Sequence, residues 1–317
     1  MADGYSPAGA FPFLNVVGAA ERSISRTLVT VVLSAVAGLV AALAALTVVM
    51  LAATAITARS GDIGWTEAIG RLMAGDRPGR ALTSYIFELA VVGASSMAAA
   101  VAFTAVSARR AGRPLQSFLT IAPRFRWRHA LVGLLVFLPL VAAEIWLDGL
   151  AKGASPAPLA TPGASGLDRV AYAAAALVFL WLAALAEELL FRGWLLQQTH
   201  ALTRSLVAVV AVNAVVFTLA HGDVSVGGLL TRLAMGAGWA WVVLRLDGVE
   251  FTTGAHLANN LGIALLAQPV TLATAPSQAF DPASVALQVG TVAILALAVE
   301  VWVRRQGPAR RFSRLAI

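Results

Sequence analysis

The chain holds 31 consecutive residues, 27–57, without one charged side chain, and seven more apolar stretches follow at 82–107, 130–146, 170–196, 206–221, 227–244, 253–268 and 285–303. Inside hydrocarbon every backbone N–H and C=O must find its partner within the chain, so helices and closed barrels are the only structures that span. Stretches this long match helices and exceed barrel strands. The expected fold is an all-α polytopic membrane protein, with about eight transmembrane helices in a bundle around a buried polar cavity.

Composition narrows the function classes. Hydrophobic residues make up 59% of the 317, charged residues only 12%, and mean hydropathy is +0.81, far from a water-soluble domain. Cysteine is absent, which excludes disulfides, thiol nucleophiles and thiolate metal sites. The net charge of +7 needs no nucleic acid, because cytoplasmic loops of membrane proteins are basic. With eight spans the two termini share one side, and that side collects 15 Lys and Arg against 6 on the other. Both termini are therefore expected in the cytoplasm, and the Ala- and Arg-rich composition suits the plasma membrane of a bacterium.

The expected organisation is an N-terminal interfacial segment at 1–26, three helices with their loops at 27–168, a site-bearing transmembrane core at 169–303, and a basic cytoplasmic tail at 304–317. The apolar patch at 11–17 reads as lying on the membrane surface, and Trp65 and Leu72 are spaced for an interfacial helix. The run from Arg109 to Arg128 reads as topological charge. In the 152–168 loop, Gly163-Ala164-Ser165-Gly166 matches the GxSG string of rhomboid proteases, but a serine in a linker is no intramembrane nucleophile.

The stretch 181–198, WLAALAEELLFRGWLLQQ, sets Glu187, Glu188 and Arg192 within an apolar run. A charge at a bilayer centre costs roughly 2.5–3.5 kcal/mol on insertion scales, so three together mark a functional site. Glu188 and Arg192, four apart, share a helix face and pair as a brace. Glu187 lies about 100° further round and is left as the working carboxylate. Phe217-x-x-x-His221 sets an aromatic ring one turn behind an imidazole, and His256-x-x-x-Asn260 sets an imidazole and a carboxamide on one face.

These are the parts of a peptide hydrolase. A partly desolvated carboxylate takes a proton from water, an imidazole orients that water, and two fixed donors hold the oxyanion. The assignment is Glu187 as general base, His221 as its partner on the water, and His256 with Asn260 as the oxyanion clamp. Glu187, His221 and His256 also form a plausible zinc triad, although HExxH is missing; metal-independent chemistry is the favoured reading and zinc the alternative.

Taken in order, Glu187-Glu188-x-x-x-Arg192, Phe217-x-x-x-His221 and His256-x-x-x-Asn260 resemble the three motifs of the CAAX prenyl protease 2 family, the CPBP or ABI intramembrane proteases. The resemblance covers residues 181–268. It implies endoproteolysis of a membrane-associated peptide or protein, eight spans, a cavity open to the cytoplasm, and Glu187 as the catalytic glutamate. It also implies an alternative, because the family includes bacteriocin-immunity proteins: a catalytically silent scaffold of the same fold. A proton-coupled transporter relaying through Glu88, Glu144 and Glu187 is a third reading.

Overall fold

The computed structural model describes residues 11–74, 82, 84–153, 157–270 and 280–306. Among them all eight apolar stretches are helical. They correspond to α1 (Ile24–Gly61), α3 (Ser84–Ala111), α4 (Trp127–Lys152), α5 (Gly166–Glu187), α7 (Leu206–Ala220), α8 (Val226–Leu246), α9 (Glu250–Gly262) and α10 (Pro282–Arg305). Short helices α2 (Trp65–Ala74) and α6 (Leu196–Thr203) complete the order. Six helical segments are long and apolar enough to cross a membrane, α5 and α6 counting as one segment, Gly166–Thr203. The chain is thus a helical polytopic membrane bundle. The basic tail expected at 304–317 lies almost wholly outside the described residues.

The two exceptions have a physical reason. Helix α9 carries Glu250, Thr252, Thr253, His256, Asn259 and Asn260, too polar to face lipid, and every residue from Glu250 to Ala258 is buried. It packs against α4, α5 and α8 in the interior, where polar groups find partners instead of acyl chains. Helix α7 has only 15 residues. By contrast α1 shows its leucines and valines to lipid, with Leu28, Val32, Leu39 and Leu43 all more than half exposed.

Helix α4 approaches α9 at backbone distance. A Cβ on Gly254 would collide with the Ala130 carbonyl, and one on Gly133 with the Phe251 carbonyl. Small residues at such a crossing let two membrane helices gain dispersion energy where no hydrophobic force separates them from lipid. The crossing seats the polar face of α9 against α5.

One end of the bundle is sealed by loops. Arg126 grips Glu250 with Nε on Oε1 (2.8 Å) and Nη2 on Oε2 (2.7 Å), and also donates to the Leu246 carbonyl (2.9 Å). Arg113 donates to Glu21 (2.8 Å), Gln197 (2.7 Å) and Ser117 (2.7 Å). These two arginines, read from the sequence as topological charge, are therefore structural ties. The 11–17 patch also departs from expectation: Phe13 and Leu14 bury against Leu196, Val209, Val243 and Val249, so the patch plugs the bundle end rather than resting on lipid. At the other end α2 forms as expected, with Trp65 and Ile69 exposed and Ala68 buried; the side chain of Leu72 lies outside the described residues.

Candidate active site

Helix α5 starts at a capping box. Ser165 Oγ accepts the Asp168 N–H (3.1 Å) and Asp168 Oδ2 accepts the Ser165 N–H (2.9 Å), so the serine of the GxSG string is an exposed helix cap. The helix then runs unbroken through Thr203, but the turn changes. Glu188–Leu195 is π-helical, with the Leu196 N–H on the Phe191 carbonyl. Such widened turns are frequent at functional sites. The Asn213 side chain of α7, wholly buried, donates a second hydrogen bond to that carbonyl (2.5 Å).

This length resolves where His221 sits. From Glu187 the helix continues 16 residues to Thr203, about 24 Å, and α7 returns 15 residues from Leu206, about 22 Å, to Ala220. The hairpin therefore brings His221 back to the level of Glu187. Ending the fourth span near 196, as hydropathy alone suggests, would have left the two at different depths.

Glu188 and Arg192 do pair, Oε1 to Nη1 at 3.3 Å, both fully buried. The brace has more members than the two. Thr252 Oγ1 donates to Glu188 Oε2 (2.7 Å), and His256 Nδ1 lies 3.1 Å from Glu188 Oε1. The Arg192 guanidinium stacks on the Phe217 ring at 3.9 Å, a cation–π contact in a desolvated setting. Trp239 closes the wall, its ring 4.7 Å from that of His256.

Glu187 faces the other way. Its Oε2 lies 3.6 Å from His221 Nε2 and 3.7 Å from His256 Nε2, and no hydrogen bond reaches it. Both imidazoles are fixed from behind. His221 Nδ1 meets the Phe217 carbonyl at 2.7 Å, and the rings of Phe217 and His221 pack edge-on at 4.5 Å. A carbonyl and an ionised carboxylate only accept, so each Nδ1 is the N–H donor and each Nε2 is the nitrogen turned toward Glu187. The Glu187 carboxylate and the two Nε2 atoms converge at distances just beyond a direct hydrogen bond, which suits a bridging water. Glu187 and His221 keep about a quarter of their side-chain surface exposed, and His256 only 4%.

Asn260 stands one turn beyond His256 and is half-buried. Its Oδ1 accepts from Asn259 Nδ2 (3.2 Å), which leaves its own amide N–H groups for another acceptor. The fold thus brings Glu187, His221 and His256 into direct proximity, with Glu188 and Arg192 behind His256. Thr252, Trp239, Asn213 and the Phe217 carbonyl were not legible as site members. Thr252 alone had a signal, lying four residues before His256 on the same helical face. Glu144, the relay candidate on α4, has its Oε1 buried with no hydrogen bond among the described residues.

Among the described residues no group of three or more His, Asp or Glu side chains is placed to hold a metal ion. Glu187, His221 and His256 would be the residues to hold a zinc ion if one bound, and the chemistry proposed for them runs through none.

Residues 169–262 match the family model of Rce1-like type II CAAX prenyl endopeptidases, an interval that contains all six site residues named from the sequence. Over that interval the chain is similar to the Rce1-like family, consistent with the resemblance to the CAAX prenyl protease 2 family that its motifs carry. A curated relative, the uncharacterized protein YyaK of Bacillus subtilis (strain 168), is 25% identical over 155 residues, 47% of this chain and 51% of the relative. The chain spans about half the length of that relative. No solved structure matches it.

Proposed function

We propose that this chain is an intramembrane endopeptidase that cleaves peptide bonds of membrane-associated substrates with a glutamate-activated water. The observation that carries the reading is the convergence of Glu187 Oε2 with two Nε2 atoms at 3.6 and 3.7 Å, each imidazole anchored through its Nδ1.

In this scheme a water donates one hydrogen to Glu187 and the other to His221 Nε2, satisfying two acceptors that have no other donor. As its oxygen bonds to the substrate carbonyl carbon, Glu187 takes the proton. The carbonyl oxygen becomes an oxyanion held by His256 Nε2 and the Asn260 amide; a single such donor is worth about 100–1000-fold in rate. His256 donates from Nε2 only when doubly protonated, and the Glu188 carboxylate on its Nδ1 stabilises that form. Arg192 keeps Glu188 ionised and Thr252 fixes its orientation. When the C–N bond breaks, Glu187 returns the proton to the leaving amine, which restores the carboxylate.

The partners of this reading are the lipid bilayer and a peptide or protein substrate, with both termini in the cytoplasm of a bacterium and no cofactor required. The test is comparative peptidomics of membranes from cells with the wild-type chain or Glu187→Gln. Peptides that depend on the wild-type carboxylate support the enzyme. Identical peptide populations, with the phenotype rescued by Glu187→Gln, would overturn it in favour of a scaffold.

A further inference from the structure

Helix α7 is apolar throughout except at Asn213 and Thr218. Thr218 returns its hydroxyl to the Ala214 carbonyl within the helix (2.7 Å), whereas Asn213 reaches out of it. The Asn213 Nδ2 donates to the Phe191 carbonyl of the π turn (2.5 Å). A carbonyl only accepts, so the amide nitrogen must face it, and Oδ1 is left buried with no hydrogen bond among the described residues. An orphaned acceptor costs stability, and the Phe191 carbonyl already holds the Leu196 N–H. A leucine at 213 would fold as well, so stability does not account for the carboxamide.

Asn213, Phe217 and His221 follow one another at intervals of four and share one face of α7. Each meets the α5 segment at its own level. Asn213 takes the Phe191 carbonyl, Phe217 lies 3.9 Å from the Arg192 guanidinium and 5.3 Å from the Phe191 ring, and His221 stands 3.6 Å from Glu187. Helix α8 presses on α7 beside this face, where a Cβ on Gly236 would collide with the Ala214 backbone. Stacked rings can slide past one another, but a hydrogen bond to a carbonyl fixes a position.

We propose that Asn213 is a positioning residue for Glu187 and His221: by holding the Phe191 carbonyl it keeps the turn at π pitch and sets α7 in the register that faces His221 with Glu187. The proposal rests on the reading of those two groups as the pair that handles the hydrolytic water. An i→i−5 bond takes one residue more into the turn than an α-helical bond. Loss of the π turn would therefore rotate Glu187 by about 100° relative to α6 and lengthen the helix by about 1.5 Å. Helix α6 is tied down through Gln197 and Gln198, so the rotation falls on Glu187.

The chain has no cysteine, so spin labels can be placed without removing one. Full-length protein in lipid nanodiscs carries them at Val178→Cys and Leu202→Cys, two exposed positions that bracket the π turn about 36 Å apart along the helix. Asn213→Leu is expected to lengthen that distance by about 1.5 Å or more and to melt no lower than wild type. On a confirmed substrate it should lower kcat about 10- to 100-fold with KM unchanged. Asn213→Ala, which removes the amide without testing the fit of a branched side chain, should show the same shift and the same split between kcat and KM. Wild-type label distances in both variants overturn the inference. So does melting of Asn213→Leu that falls in step with kcat, which makes the carboxamide a structural group only. Failure of the protease reading is separate: Glu187→Gln then leaves the peptide population unchanged while the label distance still moves in Asn213→Leu.

Discussion

Glu188 Oε1 lies 3.1 Å from His256 Nδ1 and 3.3 Å from Arg192 Nη1, so one buried carboxylate oxygen joins the helix that carries Glu187 to the helix that carries His256. A buried pair of this kind is weak evidence for stability in itself, but breaking it from one side strands a charge.

Glu188→Gln is therefore expected to destabilise the fold by about 3–5 kcal/mol, because Arg192 keeps its charge at zero exposure with no counter-ion. Thermal unfolding in detergent measures it. Glu188→Gln combined with Arg192→Met should recover most of that stability and none of the cleavage, since His256 has lost the anion behind its Nδ1. A single variant as stable as wild type contradicts the account.

Glu187→Gln and His221→Ala remove groups that are partly exposed and carry no buried ion pair. Both proteins should unfold within about 1 kcal/mol of wild type, yet cleave a confirmed substrate at least about 100-fold more slowly. Wild-type rates in both would sink the role assignment.

Arg126→Ala is expected to cost about 3–5 kcal/mol although it lies outside the site, because Glu250 is fully buried and loses both of its bidentate bonds. Arg126→Lys should rescue only part, since an ammonium cannot supply the planar two-point fork. Full rescue by lysine would show that charge alone suffices. Hydrogen exchange at the start of α9 reports the same loosening locally.

Gly254→Ala should lower stability by about 1–3 kcal/mol, because the added methyl meets the Ala130 carbonyl of α4 and the two helices must part. As α9 moves, His256 moves with it, so activity should fall more than the unfolded fraction explains. A variant with unchanged melting and activity would show that the crossing tolerates the extra carbon.

Much of this molecule could be read from its residues in order. The positions of the eight helices follow from apolar runs that only a helix satisfies in lipid. The spacing Glu187-Glu188-x-x-x-Arg192 separated a brace from a second carboxylate, and the 3.3 Å contact of Glu188 with Arg192 matches that pairing. What stayed hidden depends on helix continuity and on partners from distant segments. Hydropathy ends the fourth span where polar residues begin, yet α6 carries the helix on to Thr203 because Gln197 and Gln198 find buried partners in Arg113 and the Glu21 carbonyl. The π turn at Glu188–Leu195 left no mark in a pattern read at 3.6 residues per turn.

The sequence by itself determined that the chain is a bundle of membrane helices and which polar side chains it confines there, because lipid penalises every charge that lacks a reason. The tertiary structure decided that Glu187, His221 and His256 meet at one oxygen, and which nitrogen of each ring faces inward. Those outcomes depend on how far α5 and α6 run before turning back, on the glycine-thin crossing of α4 with α9, and on the acceptors fixed behind each ring. No local pattern encodes them, since each is set by groups tens of residues apart.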